Sequence, residues 1–347
     1  MKKALILGVN GQDGSYLAEF LLHQGYEVIG WTPVGIPNSL GAIAHILDKL
    51  TLIEGDLRDQ NSLNACLEQH RPDEIYNLAS PSSPSASWNE TVMVAEVAAL
   101  GVARLLEAIR LVNSKARLFQ ASTSELFGEP VESPQNETTP FCPRNPYGMA
   151  KLYAHWAIVN YRQRYGLFAV SGIMFNHESP RRPKEFITRK ISSNLAGIQA
   201  GRLNEFQLGN LDSYRDWGYA PDYVEAMWKM LQCDQPGDFV IGTGQPHSVR
   251  EFLEEAFGYL NLDWHAYVKL DSQDFRPNEL NILLADPGKA RRLLGWQPRV
   301  LFKDLVRIMV DADLELLGLK SPGEGAASLA QRPGSWHRWD HQVVSMA

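Results

Sequence analysis

The sequence predicts an α/β protein: a doubly wound parallel sheet with a smaller C-terminal α/β lobe. Three observations carry that prediction. Short apolar runs alternate with helical stretches through the first half of the chain, the pattern of successive strand–helix–strand units. The first apolar run leads at once into a glycine-spaced loop and a helix. From Asn176 onward the alternation gives way to polar, arginine-bearing segments, which marks the start of a second lobe.

Composition agrees with that picture and narrows the function. A chain of 347 residues is long enough for a sheet domain and a lobe. Hydrophobic residues at 44% and charged residues at 21% are ordinary for a globular protein. The net charge of -7 offers no electrostatic footprint for nucleic acid or an anionic membrane. Cys66, Cys142 and Cys233 lie far apart without metal or redox spacing, so no metal site is expected and a reducing cytoplasm fits. The start of the chain holds about five consecutive apolar residues, too few for a secretory segment. No apolar run reaches the length of a membrane span.

The elements follow in order. Ala4–Leu7 is the first strand and Tyr16–Gln24 the first helix. Between them Gly8, Gly11 and Gly14 stand in G-x-x-G-x-x-G spacing. Glycines there allow a tight turn, close approach to a pyrophosphate and close helix–strand packing, with the helix N-terminus facing the anion. This is a dinucleotide-binding (Rossmann) signature. Tyr26–Trp31 is the second strand, and the residues after it decide the cofactor. Thr32-Pro33-Val34-Gly35 holds neither an acid for a ribose hydroxyl nor a base for a 2′-phosphate, so NAD and NADP both stay open. Leu50–Glu54 is the third strand; Asp56 behind it is either an adenine contact or the N-cap of the next helix.

Glu74–Ala79 is the fourth strand, followed by a loop rich in serine and proline, Ser80–Ser85. That loop lies at the carboxyl edge of the sheet, where ligands bind. Ser82 is there as a substrate contact or as plain turn chemistry. Thr91–Leu111 is a long helix, and Leu118–Ala121 a fifth strand that delivers Ser122-Thr123-Ser124-Glu125 to the same edge. A proline-rich loop, Pro134–Pro146, precedes a helix over Tyr147–Arg164, whose Leu152, Trp156 and Val159 read as core or subunit interface. Phe168–Met174 is the sixth strand.

The chemistry concentrates at these last elements. Tyr147 and Lys151, four apart on a helix, share a face one turn apart. An ammonium beside a phenol favours the phenolate, so Lys151 is expected to lower the Tyr147 pKa towards neutrality. Tyr147 then serves as a proton shuttle for oxidising an alcohol. Thr123 adds a donor to a sugar oxygen and Glu125 a second acid/base group, completing a set for redox chemistry plus elimination. In the second lobe Arg215, Arg250 and Arg276 sit in polar, turn-like contexts, suited to bidentate phosphate recognition or to surface ion pairs. Trp336 and Trp339 give the tail the means to dock.

With these residues in view the chain resembles the extended short-chain dehydrogenase/reductases, and within them the GDP-mannose 4,6-dehydratase family. The resemblance spans about residues 1–320 and rests on Gly8–Gly14 with Gln12-Asp13, on Gln120–Gly128, and on Pro146-Tyr147 with Lys151. It rests also on Phe175–Arg182, on Leu208–Asp212 with Arg215–Gly218, and on Phe275–Glu279. It implies a dinucleotide domain over 1–175 with about 217–245, a nucleotide-sugar lobe over 176–216 and 246–320, and a tail over 321–347. It implies tightly bound NADP or NAD held by Gly8, Asn10, Gly11, Gln12, Asp13, Gly14, Asp56, Leu57, Leu78, Tyr147, Lys151 and His177. It implies a GDP-sugar held by Ser82, Asn176, Arg181, Arg182, Lys190, Arg215, Arg250, Arg276 and Glu279, with Thr123, Glu125, Tyr147 and Lys151 catalytic. The implied reaction is oxidation at C4, loss of water across C5–C6 and return of hydride to C6. The implied assembly is a homo-oligomer, dimer or tetramer, paired through the helices Thr91–Leu111 and Tyr147–Arg164.

Three features depart from the family pattern. Pro33-Val34 stands where the family has an arginine pair for the 2′-phosphate, and Gly41-Ala42 where it has an arginine that reaches a neighbouring subunit. Ala79-Ser80-Pro81-Ser82-Ser83-Pro84 keeps a serine and loses the histidine after it, which leaves room for another GDP-hexose or a heptose. A GDP-sugar epimerase or 4-ketoreductase would use the same Tyr147 and Lys151, but has no need of Glu125.

Overall fold

The computed structural model describes residues 1–35, 40–270, 282–330 and 337. Its centre is a seven-stranded parallel sheet, which bears out the fold class. The first half of the winding runs β1 (Lys3–Leu7), α1 (Gln12–His23), β2 (Glu27–Pro33) and β3 (Leu50–Gly55). The second half runs α2 (Gln60–His70), β4 (Glu74–Asn77), α3 (Thr91–Ala95), α4 (Gly101–Val112), β5 (Arg117–Thr123), α5 (Pro146–Tyr165) and β6 (Ala169–Met174).

Beyond β6 the elements are short. They are β7 (His177–Glu178), α6 (Ile187–Gln199), β8 (Phe206–Leu208), β9 (Tyr214–Asp216), β10 (Gly218–Tyr219), α7 (Ala220–Gln232) and β11 (Asp238–Ile241). Then come β12 (Pro246–Ser248), α8 (Val249–Tyr259), β13 (Val268–Leu270), α9 (Gly288–Leu294), α10 (Phe302–Leu316) and α11 (Glu324–Ala330).

The sheet order is β11-β6-β5-β4-β1-β2-β3. The chain winds outward from β1 to β3, crosses over, and winds the other way from β4, so the direction reverses between β1 and β4. Sheets of this kind bind ligands in the crevice at that reversal, beyond the carboxyl ends of the strands. Side chains alternate across the sheet. Ala4 and Ile6 join Tyr16, Leu17 and Leu21 of α1 and Tyr223 and Met227 of α7 on one face. Leu5 and Leu7 join Leu105 and Ile109 of α4 and Ile158 of α5 on the other. Each of the fully buried leucine, isoleucine and methionine side chains among them contributes about 1.5–3 kcal/mol.

Where the structure differs from the sequence reading, packing explains it. The long helix is continuous from Thr91 to Val112 but passes through a π-helical turn at Glu96–Leu100. It meets Leu57 at Gly101, where a Cβ would lie 3.0 Å from the Leu57 side chain. The seventh strand, β11, is four residues long and pairs with β6 after the chain has left the sheet to build the lobe. So short a run carries no period of its own in the sequence. The lobe has a separate core of Leu195, Trp217, Phe252, Phe257, Val306 and Met309 between α6, α8 and α10. Among the described residues no helix is long and apolar enough to cross a membrane. No group of His, Cys, Asp or Glu among them is arranged to hold a metal ion.

Candidate active site

The glycine loop closes backbone against backbone. Gly8 adopts a φ of +83°, its N–H donating to the Trp31 carbonyl at 3.0 Å, and the Gly11 N–H returns to the Gly8 carbonyl at 3.1 Å. A Cβ on Gly14 would stand 2.1 Å from the Gly8 oxygen, and one on Gly8 would stand 3.0 Å from the Ala79 nitrogen. The loop therefore joins the start of α1 to the ends of both β1 and β4, with Leu78 fixed by its N–H to the Leu7 carbonyl at 3.0 Å. A turn with glycines at its close approaches, opening a helix at the switch point, fits the pyrophosphate of a dinucleotide.

Other residues assigned to the cofactor by resemblance bind one another. His177 Nε2 and Asp13 Oδ2 are 2.8 Å apart, and the imidazole stacks on Tyr223 with centroids 4.5 Å apart. Burial acts to raise the Asp13 pKa, but the charge and hydrogen bond of His177 outweigh it and hold the carboxyl below its usual range. Burial acts to lower His177, and Asp13 again prevails and raises it. Gln12 donates to the His177 carbonyl and accepts from the Ser179 hydroxyl, at 3.0 and 2.8 Å. These bonds clasp the turn after β6 onto the glycine loop. Asp56 does not cap α2, whose cap is Asp59; Arg58 grips the Asp56 carboxylate in a bidentate pair at 2.6–3.0 Å.

The acid/base set converges at the end of β5 and the start of α5. Thr123 ends the strand, and its Oγ1 accepts the Glu125 N–H at 3.2 Å, starting the 3₁₀ turn Ser124–Leu126. Asn145 caps α5, its Oδ1 accepting the Gly148 N–H at 2.8 Å, with Pro146 at the first helical position. The same Asn145 donates from Nδ2 to Glu125 Oε2 at 2.7 Å. Ser87 Oγ accepts the Tyr147 N–H at 3.3 Å. The loop after β4 thus touches the tyrosine through Ser87, whereas Ser82 is exposed. Asn145 and Ser87 were not singled out from the sequence, although Asn-Pro ahead of a helix is a cap signal.

Lys151 lies one turn beyond Tyr147, its Nζ 5.6 Å from the centre of the phenol ring. It donates to the Ala121 carbonyl at 2.9 Å, which also accepts from Gln120 Nε2 at 2.9 Å. Gln120 in turn accepts from buried Asn77 at 2.8 Å. The expectation that Lys151 lowers the Tyr147 pKa is corrected here. Burial pushes the Tyr147 phenol well above its ordinary value; the Thr123 hydrogen bond and the Arg182 charge pull it down, and the Glu125 and Asp13 carboxylates push it up. The ammonium is engaged by a backbone carbonyl, and the same desolvation lowers Lys151 to about 8.

That shift has a consequence for stability. Lys151 ionises at about 8 when folded against 10.5 for a free side chain, so folding disfavours its charged form. The penalty is fully present below pH 8 and fades as pH rises from there to 10.5. Lys151→Met, which leaves the Ala121 carbonyl its Gln120 donor, is expected to melt higher than the parent near neutral pH. The gain should shrink as pH climbs through that window. Thermal melts of both nucleotide-free proteins across pH check this, and a gain that does not vary with pH contradicts it.

The cations assigned to the substrate divide into two groups. Arg181 is a correction: its side chain is wholly buried, paired with Glu19 at 2.5 Å, bonded to Ser15 and stacked on Tyr16 at 3.8 Å. Glu19 also holds His45 at 2.8 Å, so Arg181 is a bolt between the lobe's entry turn and α1. Arg182 stays by the site, over the Phe186 ring at 3.6 Å and 3.2 Å from Glu178. Asn176 anchors β10 through its carbonyl, and Lys190 is partly exposed on α6. The β9–β12 pairing sets Arg215 opposite His247, and Arg250, in the first turn of α8, bonds Asp212 at 2.9 Å. Arg276 and Glu279, like Trp336 and Trp339 of the tail, lie outside the described residues.

A family model described as GDP-mannose 4,6 dehydratase matches residues 5–309. The GDP-mannose 4,6 dehydratase of Cricetulus griseus is 49% identical, covering 91% of this chain and 92% of its own. The GDP-mannose 4,6-dehydratase of Vibrio cholerae is 44% identical, covering 91% and 94%. Among solved structures, the UDP-glucose 4-epimerase of Thermus thermophilus, in complex with NAD, superposes with a TM-score of 0.78 at 26% identity, over 89% and 98%. A match over most of the length at nearly half identity leaves one conclusion: this chain belongs to the GDP-mannose 4,6-dehydratase family.

Proposed function

We propose that the protein converts GDP-mannose to GDP-4-keto-6-deoxy-mannose. The observation that carries this reading is the Glu125 carboxylate, held beside a Thr–Tyr–Lys set at the switch-point crevice. Oxidation alone needs the tyrosine; elimination across C5–C6 needs a second base. When bound, a nicotinamide takes hydride from C4 and returns it at C6, so NADP or NAD stays with the chain from one turnover to the next.

The residues divide the proton transfers. Tyr147 takes the proton of the 4-hydroxyl, its phenolate favoured by the Thr123 hydroxyl and the Arg182 charge. The resulting ketone acidifies C5. Glu125 removes the C5 proton and delivers a proton to the departing 6-hydroxyl, which leaves as water; C5 is reprotonated from solvent as C6 receives hydride, and Tyr147 releases its proton to solvent. Lys151 holds the end of β5 through the Ala121 carbonyl, keeping Thr123 and Tyr147 in register. Arg182, Lys190, Arg215 and Arg250 supply positive charge on the lobe side for the diphosphate, with Asn176 at the turn between lobe and sheet. Two separate cores support the division into a dinucleotide domain and a nucleotide-sugar lobe.

The protein acts as a homo-oligomer. On α5 the side chains of Met149, Tyr153 and Trp156 are about half exposed, and with Ala103 and Tyr161 they line an apolar hollow of about 500 Å³. A face of that kind on two neighbouring helices suits pairing with a second copy. The free cysteines accord with a cytoplasmic location.

The test is incubation with GDP-mannose and no added reductant, with mass spectrometry of the products and of the dinucleotide released on denaturation. The expected product has lost one water and bears a ketone. A product of unchanged mass, or product formed only with added reduced nicotinamide, points to the epimerase or ketoreductase reading and overturns this one. The released dinucleotide decides between NADP and NAD.

A further inference from the structure

We infer that Asn145 is a positioning residue: one amide holds the Glu125 carboxylate and, at the same time, the first turn of the helix that carries Tyr147 and Lys151. The inference rests on Glu125 being the C5 base. Its geometry is a two-sided bridge. Asn145 has extended backbone, φ -145° and ψ 161°, and precedes Pro146, which disfavours a helical conformation for it. Its Oδ1 accepts from the Gly148 N–H at 2.8 Å, and its Nδ2 donates to Glu125 Oε2 at 2.7 Å. Only the oxygen can accept from an N–H, so the cap itself fixes which end of the amide faces Glu125.

The bridge spans a seam already closed by backbone. A Cβ on Gly148 would stand 2.7 Å from the Glu125 carbonyl oxygen, so the helix start and the 3₁₀ turn are in direct contact there. Backbone contact sets where the Glu125 Cα lies; it leaves the flexible side chain free to turn. Among the described residues Asn145 is the side chain that bonds the carboxylate. Serine, threonine and aspartate cap helices as well as asparagine does. None of them can accept from the helix and donate an amide N–H to a carboxylate together.

Three full-length variants test this. Asn145→Ser keeps a cap and removes the amide donor, its hydroxyl ending one atom short of where Nδ2 meets Glu125. It is expected to keep the parent melting temperature and C4 oxidation, and to slow loss of water about 10- to 100-fold, the scale of a misplaced catalytic group. The readout is 4-ketone that still carries its 6-hydroxyl, trapped with hydroxylamine, together with slower entry of solvent deuterium at C5. Asn145→Asp keeps the cap and sets a carboxylate against Glu125. Like charges raise a carboxyl pKa, so the acid limb of the elimination step, read as solvent deuterium entering C5, should move up by about a unit or more. Asn145→Ala should lose thermal stability as well as elimination.

The inference is overturned if Asn145→Ser eliminates water at the parent rate, or if Asn145→Asp leaves the acid limb in place. It is also overturned if Asn145→Ser loses oxidation and elimination equally, which would assign Asn145 to the helix alone. Failure of the underlying reading shows elsewhere: Glu125→Gln would then keep full dehydratase activity whatever Asn145 does.

Discussion

Tyr147→Phe is expected to lower turnover of GDP-mannose by about 10³-fold, within the range for loss of a positioned acid/base group. The ring remains to fill a site that is 8% exposed, so the fold and nucleotide binding should be kept. What disappears is the phenol oxygen that receives the 4-hydroxyl proton and is bonded by Thr123. No other group with the right reach replaces it, because Lys151 is turned to the Ala121 carbonyl and Glu125 to Asn145. The pH dependence has a definite sign. The base form is the phenolate, and burial holds the phenol above its ordinary pKa, so turnover of the parent should rise with pH through the neutral and mildly alkaline range. Thr123→Ala removes the hydrogen bond that favours the phenolate and should move that rise to higher pH. Steady-state rates across pH check both. Parent-like turnover by Tyr147→Phe would remove the tyrosine from the chemistry.

Glu125→Gln is expected to cut formation of the 6-deoxy product by about 10²–10⁴-fold while leaving C4 oxidation in place. Glutamine has the same length and can still accept from Asn145 Nδ2, so the turn at Ser124–Leu126 should persist. It cannot take a proton from C5. The signature is therefore a split between two steps: a trapped 4-ketone that keeps its 6-hydroxyl, and no deuterium entering C5 from solvent. Loss of both steps together would mean that Glu125 serves oxidation as well. Undiminished water loss would exclude it as the base.

The contrast between these two residues and Arg181 shows how far the sequence could be read. Tyr147 and Lys151 share a helical face by arithmetic, and Thr123 and Glu125 arrive together because a strand ends between Ala121 and the turn. Arg181 and Arg182 are adjacent and chemically alike, yet one is sealed under α1 against Glu19 and the other lies by the site. Nothing in their own stretch of chain distinguishes them, since Glu19 is 162 positions away. The Asp13–His177 pair is hidden for the same reason, with 164 positions between its members.

By itself, then, the sequence determined what local rules govern: a strand, glycine turn and helix at the N-terminus, alternation that yields a parallel sheet, and four reactive groups delivered to one edge. Those follow from backbone periods of two and 3.6 residues and from the absence of side chains at Gly8 and Gly14. Only the tertiary structure decided which cations face the crevice, that Lys151 holds a carbonyl while the phenol is raised by burial, and that one amide bridges Glu125 to the tyrosine helix. Desolvation and ion pairing depend on which segments pack together through space. That is a property of the whole fold, and no local pattern of residues encodes it.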